Sequence, residues 1–252
     1  MDRTASTIGT TVDDAEVARF DAQADLWWDT EGPFALLHRY NPVRIAWVRE
    51  RICRRFDRDP VARAPFEGLA MLDVGCGGGL IAEPLARLGA SVTGIDAAPR
   101  NVGTAAAHAA RTGLAIDYRH TTIEALAEAG ETFDVVLALE IIEHVADQPS
   151  FVAACARVLK PGGLVFLSTI NRTAKAFALT IVDAEWVLRW IPRGTHDWQK
   201  YVMPHELARM GEAAGLRNLE NTGVRYDVLS REWALTPDLS VNYMMLAARP
   251  DA

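Results

Sequence analysis

The sequence predicts an α/β protein built on a mostly parallel sheet covered by helices, and three observations carry that expectation. Short apolar segments recur at Ala70–Val74, Ser91–Ile95, Ala115–Tyr118, Phe133–Leu139 and Leu164–Ser168, each of strand length. The first four are followed by helical or turn patterns, the alternation expected of parallel strands joined by crossovers. Pro99 and Pro149 stand where helices should start, and Lys160-Pro161-Gly162-Gly163 reads as a turn delivering the fifth strand.

The flanking regions read differently. Val17, Phe20, Ala24 and Trp27 lie on one apolar helical face that Glu31-Gly32-Pro33 ends. A second helix is expected to begin at Asn41-Pro42, where an N-cap residue precedes proline, and to run to about Phe56. The segment 57–67, with two prolines, is a linker. After an insertion at 171–203, a helix over Pro204–Ala214 leads to strands at Leu216–Thr222 and Val241–Ala248. The last of these is expected to be antiparallel, near the sheet edge.

Composition narrows the function classes. The 252 residues are 50% apolar and 23% charged, enough to bury one large core and unlike a disordered chain. A net charge of −7 disfavours phosphate-backbone binding, so no nucleic-acid partner is expected. Cys53, Cys76 and Cys155 are odd in number and widely spaced, reading as reduced thiols of a cytoplasmic protein. No apolar run reaches membrane-spanning length, and the first twenty residues lack a secretory or transit pattern.

The most specific feature is Leu72-Asp73-Val74-Gly75-Cys76-Gly77-Gly78-Gly79-Leu80, a strand running into a glycine-rich turn. Such a turn lets backbone approach a ligand at the carboxyl end of a strand, where open α/β sheets bind them. Asp96 follows Gly75 by 21 residues and stands at the end of the second strand, where an acid accepts bonds from ribose hydroxyls. Together they indicate an adenosine-containing cofactor. A dinucleotide fingerprint wants a third glycine where Leu80 stands. Asp73 would also repel a pyrophosphate, yet suits the ammonium of a methionine moiety. S-adenosylmethionine is therefore preferred over a nicotinamide cofactor.

At these residues the chain resembles the class I S-adenosylmethionine-dependent methyltransferases. The likeness extends through Glu140-Ile141-Ile142-Glu143-His144 and Arg157-Val158-Leu159-Lys160-Pro161-Gly162-Gly163. It implies a Rossmann-like, mostly parallel seven-stranded sheet with helices on both faces, an N-terminal helical extension and a helical lid insertion. By the same resemblance Gly75 and Gly77 line the amino-acid portion of the cofactor and Asp96 holds the ribose. Ala97, Thr122 and Ile123 lie near adenine, with Glu124 the nearest acid, and Leu139 offers backbone groups. A narrower likeness is carried by Trp27-Trp28-Asp29, Leu37-His38-Arg39-Tyr40-Asn41-Pro42-Val43-Arg44, Ser168-Thr169-Ile170-Asn171-Arg172, Gly194-Thr195-His196-Asp197 and Val241-Asn242-Tyr243-Met244. These are similar to the ubiquinone-biosynthesis O-methyltransferases of bacteria. That family methylates ring hydroxyls of polyprenylated phenols and catechols, and the resemblance places Arg44 against the cofactor, where its guanidinium suits the methionine carboxylate.

Methylating a phenol requires the oxygen to lose its proton, and with a pKa of about 10 only about a thousandth is ionised at neutral pH. Glu140, Glu143 and His144 stand at i, i+3 and i+4, which on a helix shares one face. Three readings stay open. The triplet holds a divalent cation that binds a catechol, magnesium by resemblance to eukaryotic relatives. Alternatively His144 is a general base oriented by Glu140 or Glu143, or the acids merely start a helix. His38, His108, His120, His196 and His205 are weaker candidates.

Ala174–Ile191 reads as a helix with two apolar stripes. Phe177, Ile181, Ala184, Leu188 and Ile191 form one, and Leu179, Trp186 and Trp190 the other. One stripe suits packing on the domain. The other suits either the bilayer interface, as a peripheral contact on the inner membrane face, or a protein cover. The whole is expected to form one domain: 1–68 N-terminal helices and linker, 69–170 cofactor core, 171–203 insertion, 204–252 C-terminal strands. A homo-oligomer or biosynthetic complex stays open. Against the enzyme stand two alternatives, a nicotinamide-dependent oxidoreductase and a non-catalytic lipid-docked subunit that binds cofactor or quinone.

Overall fold

In the computed structural model, which describes residues 11–180, 197–227 and 232–251, the apolar segments assemble into one eight-stranded sheet. The strands are β1 (Ala70–Val74), β2 (Ser91–Asp96), β3 (Asp117–His120), β4 (Phe133–Leu139), β5 (Leu159–Ile170), β6 (Arg217–Asp227), β7 (Glu232–Thr236) and β8 (Asn242–Ala248). Their order is β3-β2-β1-β4-β5-β8-β6-β7. β1 to β5 pair in parallel, whereas β8 is antiparallel to both β5 and β6, and β7 is antiparallel to β6.

The sheet is thus mixed and eight-stranded rather than seven-stranded, because β6 and β7 form a hairpin that extends the edge. β8 lies between β5 and β6 because it pairs with both. β3 starts two residues later than the apolar pattern suggests, and β5 begins at Leu159, so Lys160–Gly163 belongs to an irregular start of the strand and not to a preceding turn.

Alternation along the strands feeds two cores. Met71, Val135 and Phe166 face Trp47, Ile52 and Leu85 of helices α2 (Ala35–Arg55) and α3 (Ala82–Arg87). Leu72, Val136 and Leu167 face the helices α5 (Ile123–Glu128), α6 (Gln148–Arg157) and α8 (Pro204–Ala213) through residues such as Leu126, Val152 and Leu207. Covering both faces is what a parallel sheet requires. Helix α4 (Pro99–Thr112) begins with proline and ends at Gly113 in the left-handed conformation.

The N-terminal region departs from expectation in two places. The first helix, α1, covers only Asp14–Ala22, and a 3-10 turn at Ala24–Leu26 follows it. Helix α2 does not start at Asn41 but seven residues into it places Pro42 in its interior. Proline there removes one backbone bond. Asn41, which reads as an N-cap, instead turns its Oδ1 toward Arg44 Nε at 3.0 Å. Burial of Tyr40, Arg44 and Trp47 along the same helix face keeps the helix continuous.

In the insertion, α7 spans Ala174–Ala176, and Phe177 and Leu179 beyond it are exposed. Most of the expected amphipathic helix, with Ile181, Ala184, Trp186, Leu188, Trp190 and Ile191, lies outside the described residues, as does His196. No helix among the described residues is long and apolar enough to cross a membrane.

Candidate active site

The strand order reverses between β1 and β4, and there a cavity of about 660 Å³ opens beyond the carboxyl ends of the strands. It collects Arg44, Asp73, Gly75, Asp96, Ala97, Ile123, Leu139, Glu140, Glu143 and His144, all singled out by the sequence. Gly77 is the exception. A Cβ at Gly77 or Gly78 would collide with the Trp27 indole, so the glycines there admit a side chain of the N-terminal segment. Trp27 is fixed by stacking on Phe34 at 3.8 Å and by donating from Nε1 to Asn101 Oδ1 at 2.8 Å. At Gly75, with φ +67, a Cβ would meet Ile141 Cδ1 at 2.6 Å, which requires glycine at the cavity floor.

Charges are unevenly satisfied. Asp73, at the end of β1, is 3% exposed, and its Oδ2 has no hydrogen-bond partner among the described residues. Burial pushes its pKa up to about 7, although the nearby Arg44 guanidinium opposes the shift. Arg44 is itself buried, lies over the Tyr40 ring at 4.3 Å and reaches Glu140 Oε1 at 3.3 Å. Asp96 accepts from the backbone N–H groups of Ala98 (2.8 Å) and Gly77 (2.9 Å) and from Asn101 Nδ2 (3.3 Å). Burial raises its pKa against those bonds. Three acceptor positions are used, leaving capacity on a carboxylate with about four. Thr122 caps α5 at the rim of the cavity by accepting from Ala125 N.

The triplet beyond β4 does not form a helical face. Glu140 has φ +56, a left-handed backbone costly for a residue other than glycine, and Ile142–His144 is a single 3-10 turn. Glu140 and Glu143 stay within hydrogen-bond reach of each other, whereas His144 turns away. Glu140 bonds Ser168 Oγ at 2.9 Å and Arg44. Glu143 is buried and accepts from Thr169 Oγ1 at 2.8 Å; burial, then the Glu140 charge, holds its pKa well above the carboxylate range. His144 turns its Nδ1 to Glu16 Oε2 at 2.9 Å. Glu140, Glu143 and His144 thus do not converge as metal ligands, and no cluster of three or more such side chains among the described residues does so.

Nor does Glu140 or Glu143 orient His144; Glu16 of α1 does. Burial works against the Glu16 charge, but the bond to His144 and the positive Arg19 keep its pKa below the usual value. An ionised carboxylate only accepts, so Nδ1 carries the proton, and in the neutral form of the ring Nε2 is the acceptor. Glu16 was not legible as a site residue: 128 positions separate it from His144, and no spacing rule connects them. Three other histidines make structural contacts. His38 bonds Trp27 O, His108 pairs with buried Glu83 beneath the Trp28 ring, and His120 bonds Ala97 O. All three cysteines are buried and free.

Comparison with known proteins decides the family. Residues 72–167 match the methyltransferase domain family. A ubiquinone biosynthesis O-methyltransferase of Methylobacterium nodulans is 55% identical over 248 residues, covering 98% of this chain and 100% of the relative. The chain belongs to the ubiquinone biosynthesis O-methyltransferase family. Further members from Sinorhizobium fredii and Agrobacterium fabrum are 52% and 53% identical, each covering 98% of this chain and 99% of their own. The chain is thus a methyltransferase, and the oxidoreductase reading is not favoured.

Solved structures agree on the Rossmann-like fold. Magnesium protoporphyrin IX methyltransferase from Synechocystis, solved with bound SAH, superposes with a TM-score of 0.60 at 18% identity, covering 92% of this chain and 94% of its own. Its SAM-bound form gives 0.59 at 17% identity, covering 96% and 99%.

Proposed function

We propose that this family member transfers a methyl group from S-adenosylmethionine to a ring hydroxyl of a polyprenylated phenol or catechol in ubiquinone biosynthesis. The observation that carries the reading is a single cavity with unspent charge at one end and an oriented imidazole at the other. The unpartnered Asp73 Oδ2 fits the donor's ammonium, Arg44 its carboxylate and the remaining valence of Asp96 its ribose. Ala97, Ile123 and Leu139 supply walls for adenine, with Gly75 as the floor. When bound, S-adenosylmethionine supplies an activated methyl group on a sulfonium that leaves as a neutral thioether.

The chain's own residues prepare the oxygen. His144 Nε2 takes the acceptor hydroxyl's proton while Glu16 holds the ring by Nδ1 and stabilises the imidazolium that forms. Glu143, kept neutral by burial and by Glu140, adds no negative charge to oppose the developing phenolate. Phe20 and Trp27, both on the N-terminal segment, roof the cavity and exclude water. A divalent cation has no ready ligand set in this arrangement, so no step is assigned to one.

The chain acts as one catalytic domain. Among the described residues, 11–68 supply roof and base partner, 69–170 the cofactor core, and 204–227 with 232–251 the far wall. A tail that stays in lipid calls for peripheral contact with the cytoplasmic membrane face, for which the sequence of Ala174–Ile191 offers apolar residues. The test is single-turnover transfer of labelled methyl to short-chain phenol and catechol acceptors. Stoichiometric ether formation supports the assignment; binding of the donor without transfer would leave only a cofactor-binding subunit.

A further inference from the structure

We propose that Tyr40 and Trp233 form the subsite for the acceptor ring, the Tyr40 hydroxyl and the Trp233 indole N–H donating hydrogen bonds to oxygen substituents on that ring. The inference deepens the methyltransfer reading and rests on it. Tyr40 comes from α2, one turn before Arg44, and Trp233 from β7, the edge strand of the sheet. Their rings meet with centroids 5.0 Å apart at 36°, and both line the cavity.

Tyr40 is only 2% exposed, yet neither its hydroxyl nor the buried Trp233 Nε1 has a hydrogen-bond partner among the described residues. Buried polar groups are nearly always paired. Two unpaired groups on touching rings of one cavity wall are therefore donors held for a ligand. Burial also keeps Tyr40 protonated, raising its pKa with further help from Glu140, so it is available to donate.

The chemistry of the pair selects the ligand. Both are neutral donors on flat apolar rings, unlike the charged Asp73 and Arg44. They fit a planar ring bearing accepting oxygens, and not the charged end of an amino acid. An acceptor with adjacent oxygens presents one to His144 and another to this wall.

The test uses the full chain and the variants Tyr40→Phe, which removes only the hydroxyl, and Trp233→Phe, which removes the N–H together with part of the ring system. With a short-chain catechol, each is expected to raise KM about three- to tenfold, the worth of a neutral hydrogen bond. The calorimetric Kd for S-adenosylmethionine should stay as in the native enzyme, and the melting temperature of Tyr40→Phe should hold or rise, since an unpaired buried group is gone, while Trp233→Phe lowers it through lost packing. The matching monophenol supplies the decisive comparison. If the donors read the second oxygen, its KM changes less in the variants, and the two deletions are non-additive.

An unchanged catechol KM in both variants, equal losses on catechol and monophenol, or a matching loss of donor affinity would each overturn the subsite. Failure of the native enzyme to methylate either acceptor would instead overturn the parent reading, and this inference with it.

Discussion

Replacing Asp73 by asparagine removes the charge that the cavity leaves unsatisfied while keeping the side chain's shape. The native carboxyl is raised from 3.8 to about 7 by burial, so the folded protein holds a proton there that the unfolded chain releases. Stability from this group is accordingly greatest at acid pH and declines as pH rises from about 4 to 7, by about 4 kcal/mol across that interval. Asparagine abolishes the decline but leaves a buried amide N–H unpaired, at about 1–3 kcal/mol. At pH 8 the ligand-free variant should therefore be the more stable protein by about 2 kcal/mol, and the less stable one at pH 4.

Donor binding should show the opposite preference. An ammonium beside Asp73 requires the carboxylate, so at pH 6 binding to the native enzyme must expel about 0.9 proton, falling to about 0.1 at pH 8. Calorimetry at pH 6 in buffers of different ionisation enthalpy reads this number directly. Asp73→Asn should lose the proton release and weaken binding by about ten- to a hundredfold, the scale of a charge-assisted bond. Zero proton release from the native enzyme at pH 6, or an equal release from the variant, would refute the reasoning, because Asp96 and Glu143 are intact in both.

Three further outcomes follow from the same geometry. Asp96→Ala should lower donor affinity by about 1.5–3 kcal/mol in a binding isotherm and also lower the melting temperature, since it deprives Ala98 and Gly77 of their acceptor. His144→Gln should reduce kcat by about 10² to 10⁴ with donor Kd unchanged, and Glu16→Gln should reduce it less, as measured by single turnover. Trp27→Ala should cost about 3–5 kcal/mol in urea unfolding, and addition of donor should recover less stability than it gives the native protein.

What the sequence disclosed follows the range of the forces involved. The Asp73–Gly79 turn and Asp96 are readable because a strand, a tight turn and the next strand's end fix one another within about 25 residues. β1 and β4 have the boundaries their apolar runs suggest. The errors arise where distant contacts outweigh local preference. Pro42 stays inside α2 because that helix face is buried against the sheet, and Asn41 serves Arg44 instead of a helix start. Glu140 adopts a left-handed backbone that converts an expected helical face into a 3-10 turn. β7, five residues ending before Pro237, has too short a pattern to announce itself, and the sequence does not show that β6 pairs on the outer side of β8. Gly77 carries the correct local signal for a close approach; the sequence does not say that an indole makes it.

Glu16 and His144 belong to parts of the chain that mature at different times. During synthesis α1 emerges early, but its seat against the cavity does not exist until the segment carrying His144 has joined the sheet. The Asp13 carboxylate that caps α1 is in turn anchored by Lys200 at 2.8 Å, still later in the chain. The proposed proton-transfer pair therefore depends on contacts that only a nearly complete chain can make. On that proposal, a chain cut short before Lys200 keeps the strands that frame the donor crevice but loses an anchor of its first helix.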